Sequence, residues 1–94
     1  MSIIVQKYGG TSVGTPDKIR AVADRIIQTK SKGHQLVVIV SAMGNSTDSL
    51  IKLSREVAAK PDPREMDMLL TTGEQVSISL LAMALQDKGI PAIS

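Results

Sequence analysis

Five consecutive apolar residues, Leu36 to Val40 (LVVIV), constrain this chain more than any other stretch. A strand-length run with no polar alternation must bury both faces, as in the middle of a parallel sheet covered by helices. What precedes it fits that setting. Ile3 to Tyr8 reads as a first strand, β-branched and uncharged until Lys7. Thr15-Pro16-Asp17 then reads as a helix start, with a hydroxyl at the N-cap, proline at the first helical position and an acid in the first turn. Ile19, Val22, Ala23, Ile26 and Ile27 recur at helical spacing as one apolar stripe, and Gly33 is a plausible stop. Strand, helix and strand in succession make a βαβ unit.

The second half is helical by pattern. SAMGNSTDS forms a polar loop after the second strand, and a helix follows with Leu50, Ile51, Leu53 and Val57 as its apolar positions. Lys60-Pro61 ends it. Asp62, Pro63 and Glu65 then open another helix with an acidic capping box. From Met66 to Leu85 the pattern is apolar nearly all round, which predicts a buried helix interrupted at TTGE, residues 71 to 74. Gly89 stops it, and Ile90-Pro91-Ala92-Ile93 looks like the beginning of a further strand. A strand cut off there leaves an unfinished sheet, so residues 1 to 94 read as the N-terminal piece of a larger protein.

Composition excludes several classes. Hydrophobic residues are 43% and charged residues 21% of 94, the balance of an ordinary globular chain. Tyr8 is the single aromatic, so the core must be aliphatic, with Met43, Met66, Met68 and Met83 as filler, and base-stacking platforms are lacking. The formal charge of +2 comes from scattered Lys and Arg, which argues against nucleic acid. Lys52, Arg55, Glu56 and Lys60 read as a wetted helix face. Cysteine is absent, which rules out thiolate metal sites and fits a cytosolic setting, and His34 is a lone, solvated loop residue. The N-terminus has no signal-peptide pattern, and the apolar region around Ile78 to Leu85 is too short and interrupted to span a bilayer.

Chemistry has two natural locations. GGTSVG (9–14) and SAMGNST (41–47) each follow a strand and precede a helix, which puts both at the carboxyl edge of the sheet, where ligands bind in open α/β folds. Amides at a Gly-rich turn and a helix N-terminus attract anions, and Lys7 adds a positive charge suited to phosphoryl oxygens. Neither GxGxxG nor GxxxxGK[ST] is present, so as a bare loop GGTSVG reads equally as a structural turn or a phosphate cradle. Ser41, Ser46 and Thr47 offer hydroxyls, and spacing favours Ser46 or Thr47 as a helix cap. Glu74 lies in a run that otherwise buries its side chains. Either TTG breaks the helix and Glu74 is a first-turn acid, or the carboxylate holds a cation or ammonium group.

Three pieces in order, KYGGTSVG, VVIVSAMGNSTDSL and REMDMLLTTGEQVS, resemble the aspartokinases of the amino-acid kinase family, collinearly over essentially all 94 residues. TSVGTPDKIRAVADRI and SAMGNSTDSL look especially like the bacterial lysine- or threonine-regulated enzymes. The resemblance implies an α/β three-layer αβα sandwich with a mostly parallel sheet, of which residues 1–94 are the N-terminal portion. The rest of the kinase domain, with its adenine site and a catalytic acid, and the regulatory ACT domains would lie elsewhere. It implies ATP-dependent phosphorylation of the L-aspartate side-chain carboxylate to 4-phospho-L-aspartate, the first step toward lysine, threonine and methionine. MgATP and aspartate would be the ligands, in a cytoplasmic oligomer without nucleic acid or membrane. By the same resemblance Lys7 is catalytic, neutralising the transferring phosphoryl group. Lys7, Tyr8, Gly9 and Gly10 lie at the ATP phosphates, Ser41 and Thr47 contact aspartate, and Glu74 binds its α-ammonium group. The fragment alone would be inactive. Two other readings stay open: another amino-acid kinase with a different acceptor, and a non-catalytic module acting through an exposed sheet edge.

Overall fold

A computed structural model describes residues 2–94. The elements are β1 (Ile3–Tyr8), α1 (Pro16–Lys30), β2 (Gln35–Val40), α2 (Ser46–Val57) and α3 (Pro63–Asp87). β1 and β2 pair in parallel, with Val5 opposite Val37 and Lys7 opposite Ile39. The parallel α/β expectation therefore holds.

Helix ends follow local chemistry. Thr15 caps α1, its hydroxyl accepting the Lys18 N–H at 3.2 Å, and Pro16 opens the helix. Asp62 caps α3 by accepting the Arg64 and Glu65 N–H groups at 3.1 and 3.2 Å. The reciprocal half of the capping box is missing, because the Glu65 carboxylate pairs with Arg64 instead. Gly89 takes φ +78° just past α3. Its N–H donates to the Gln86 carbonyl and that of Ile90 to the Leu85 carbonyl, a Schellman closure. α1 ends sooner than Gly33 suggests, at Lys30 with Ser31 as C-cap. α2 ends at Val57, before Lys60-Pro61.

The core lies between the sheet and the helices. α1 buries Ile19, Val22, Ala23 and Ile26, and α3 buries Leu81 and Leu85 against them and Val40. Each of the larger side chains contributes roughly 1.5–3 kcal/mol on burial. Asp24 of α1 and Lys88 after α3 form an ion pair across the same seam.

Burial differs from expectation in three places. LVVIV is covered on one face only: Val38 and Val40 turn to the helices, while Val37 and Ile39 are about half exposed beside Ile3 and Val5. α1 and α3 pack on one side and α2 packs on α3, so these residues supply two of the three layers. α3 buries a narrow stripe, Gly73, Ser77, Leu81 and Leu85, and leaves Met68, Val76, Leu80 and Met83 exposed. Met68 and Met83 are thus surface residues, whereas Met43 packs on the core. By length and composition α3 is long and apolar enough to cross a bilayer, so Ile78–Leu85 understates it; its stripe packs on α1, α2 and β2. Finally, residues 90–93 form no strand. Ile90 and Ala92 lean on the core and the Gln86 side chain holds the Ala92 carbonyl, without a ladder to β2.

Candidate active site

Three backbone approaches gather the rim. The Ser41 N–H donates to the Tyr8 carbonyl at 3.1 Å, extending the strand pairing into the loops. The Gly44 N–H donates to the Gly10 carbonyl at 3.0 Å, joining GGTSVG to SAMGNST. A Cβ on Gly10 would stand 2.8 Å from the Ala42 carbonyl oxygen, so only glycine fits there. The third stretch arrives through Gly73. A Cβ at that position would lie 3.1 Å from Ala42 Cβ and 3.5 Å from Leu50 Cδ1. The glycine therefore lets α3 approach the second loop closely. α3 runs unbroken through TTGE, which removes the reading of Glu74 as a first-turn acid.

Lys7, the candidate catalytic cation, is exposed at the carboxyl end of β1, on the sheet face that carries Val5 and Ile39. Glu74 is exposed one residue beyond the Gly73 contact, which corrects the expectation of a buried carboxylate. It sits on α3, which packs on the other face. A ligand held by both must straddle the end of the sheet. Among the described residues the ion pairs are Asp17–Arg20, Arg64–Glu65 and Asp24–Lys88, so Lys7 and Glu74 face solvent without an ionic partner.

Tyr8 points toward the helices. Its hydroxyl donates to Gln6 Oε1 at 2.9 Å and the Gln6 amide donates to Thr29 Oγ1 at 3.0 Å, which ties the side chain to the helix-facing side of β1. Gly9 is open, with nothing within 4 Å of a built Cβ. Ser41 is half-buried at the strand end and Thr47 is exposed in the first turn of α2.

The capping role favoured for Ser46 or Thr47 is overturned. Asn45 occupies the N-cap, no side chain caps the helix, and Ser46 is the first helical residue. Ser46 and Ser49 line a groove between α2 and α3 together with Asn45, Leu50, Thr72, Gly73 and Val76. His34 is half-buried rather than solvated, its Nδ1 2.6 Å from Ser2 Oγ.

Two residues escaped the sequence reading. Val13, 1% exposed, anchors the first loop in the core; as the one large apolar residue between Tyr8 and Ile19 it could have been noticed. Lys18 donates its ammonium to the Thr11 carbonyl at 3.1 Å, a contact that spacing does not announce.

A parallel sheet whose two strand-to-helix loops share its carboxyl edge defines an open α/β protein. The profile described as "Amino acid kinase family" matches residues 2–94, and the chain belongs to that family. It is 62% identical over 94 residues to Aspartokinase 2 of Bacillus subtilis and 56% identical over 92 residues to an aspartokinase of Thermus thermophilus. Those alignments cover 100% and 98% of this chain but 23% of each relative, so the chain spans about a quarter of their length. The crystal structure of aspartate kinase from Synechocystis superposes with a TM-score of 0.94 at 59% identity, over 99% of this chain and 16% of that one.

Proposed function

We propose that this chain forms the phosphate-facing and aspartate-facing part of an aspartokinase, which transfers the γ-phosphoryl group of ATP to the side-chain carboxylate of L-aspartate. The observation that carries this reading is identity of 62% to a protein of that name across all 94 residues, the three rim stretches included. The geometry supports it. The first and second loops are joined at the carboxyl edge of the sheet, and Gly73, next in the chain to Glu74, packs on the second loop.

Phosphoryl transfer asks for alignment and charge neutralisation rather than a protein nucleophile. A carboxylate oxygen of aspartate attacks the γ-phosphorus, the bond to the β,γ-bridging oxygen breaks, and ADP leaves with that electron pair. Lys7 offsets charge on the transferring group while Gly9 and Gly10 bring backbone close to the phosphates. Ser41 and Thr47 hydrogen-bond aspartate. Glu74 takes its α-ammonium group and so gains the ionic partner it lacks among the described residues. Mg²⁺ supplies further charge neutralisation when bound with the nucleotide. Among the described residues no three His, Cys, Asp or Glu side chains gather to hold it.

The setting is biosynthetic: an acyl phosphate made in the cytoplasm toward lysine, threonine and methionine, by an oligomer whose other parts lie in the remaining three quarters of the relatives' length. The test is hydroxylamine trapping of the acyl phosphate with coupled ADP release, using the complete gene product. L-Aspartate should be phosphorylated, with glutamate and nucleoside monophosphates giving little turnover. A preference for either of those acceptors sinks the assignment.

A further inference from the structure

Lys18 stands where a cation is electrostatically least favoured. It is the third residue of α1, inside the first turn, where unpaired amides and the helix dipole present positive potential. Asp17 beside it has the sign that the position prefers. The Lys18 ammonium nonetheless reaches back over the first loop and donates to the Thr11 carbonyl at 3.1 Å.

That carbonyl belongs to a tight turn. The Ser12 N–H donates to the Gly9 carbonyl at 3.1 Å, which makes residues 9–12 a β-turn with Gly10 and Thr11 at its centre. One side of the turn is held by the bond from Gly44 to the Gly10 carbonyl, and the chain beyond it by buried Val13. Among the described residues the central amides, those of Gly10 and Thr11, enter no backbone hydrogen bond. The Thr11–Ser12 peptide that closes the turn is therefore held twice, at its N–H by the Gly9 carbonyl and at its carbonyl by Lys18, which among the described residues is the side chain bonded to the turn.

We propose that Lys18 is a positioning residue for nucleotide binding: by bracing the peptide that closes the turn it keeps the turn, and with it the Gly10 and Thr11 amides, presented to phosphate. This rests on the kinase reading above, in which the turn faces ATP. Lysine suits the task because its flexible stem carries three donors to a carbonyl that lies off the helix axis. Arginine keeps a charged donor of similar reach. Methionine keeps most of the stem and loses the donor.

The experiment measures MgATP affinity by calorimetry on the complete gene product, alongside aspartate kinetics, for wild type, Lys18→Met and Lys18→Arg. Lys18→Met should weaken MgATP binding about tenfold and raise the MgATP KM in step, with the aspartate KM within twofold of wild type. Lys18→Arg should recover affinity to within threefold. The thermal midpoint of Lys18→Met should stay within about 2 °C of wild type, since the lost bond is offset by relief at the helix terminus. MgATP affinity in Lys18→Met within threefold of wild type overturns the proposal, as does failure of arginine to rescue or a fall in midpoint large enough to account for the loss. Wild type that binds MgATP without phosphorylating aspartate refutes the aspartokinase reading alone, and the Lys18 comparison is then decided by binding. Wild type that binds no MgATP refutes both.

Discussion

Lys7 and Glu74 divide the proposed labour by charge, and their substitutions should separate accordingly. Lys7→Ala should lower kcat roughly 10²–10³-fold, the scale of losing a charged stabiliser of the transferring group, while moving the aspartate KM little. Glu74→Ala should chiefly raise the aspartate KM, by roughly 10–100-fold, the worth of a charge-assisted hydrogen bond. Steady-state kinetics checks both, and equal small effects contradict the division. Glycines of the first loop should also differ. Gly10→Ala drives a Cβ to 2.8 Å from the Ala42 carbonyl and should cost about 1–3 kcal/mol in urea unfolding. Gly9→Ala meets nothing within 4 Å and should change stability by no more than about 0.5 kcal/mol.

At the scale of the element, α3 departs furthest from its sequence pattern. A glycine inside a helix costs about 1 kcal/mol relative to alanine, so Gly73 reads as an interruption when only the chain is considered. Close packing on Ala42 and Leu50 gives that cost a purpose. One turn later, Ser77 is 1% exposed and among the described residues its hydroxyl has no hydrogen-bond partner. An unsatisfied buried hydroxyl is a liability of about 1–3 kcal/mol. Ser77→Ala should therefore leave stability unchanged or raise it by up to about 1 kcal/mol, measured by denaturant unfolding; a clear loss would mean that the hydroxyl has a partner in solution. The start of α3 is the opposite case. Asp62 satisfies two amides, and Asp62→Ala should cost about 1 kcal/mol in the same measurement.

For the whole molecule, shape carries the argument. The radius of gyration is 15.4 Å and the principal extents are 51 × 25 × 17 Å. A compact domain of this length would have a radius of about 12 Å. Ile3, Val5, Val37 and Ile39 leave one sheet face apolar and open, and the exposed side of α3 adds Met68, Val76, Leu80 and Met83. An open apolar sheet face of that kind favours association. The 94-residue polypeptide expressed alone should bind a hydrophobic dye strongly and sediment as a concentration-dependent mixture. A dye-silent monomer would show that the open face is tolerated in water.

The parts legible in the chain were those decided over short distances. Thr15, Asp62 and Gly89 mark helix ends through side-chain or backbone bonds that reach at most a few residues, and these were readable directly. The β-branched run of β1 and the strand–helix–strand order likewise gave the parallel pairing. Strand order gave the shared edge, because the loops after β1 and β2 must lie together when those strands run parallel, while the roles of Lys7, Ser41, Thr47 and Glu74 came from the family resemblance. Tertiary structure decided which apolar residues are covered, that α3 continues through Gly73, that Ser46 lies within α2 instead of capping it, and that Lys18 reaches Thr11. Each depends on what a distant segment brings alongside. Hydrophobicity states that a side chain gains by leaving water; only the packed partners determine whether it does.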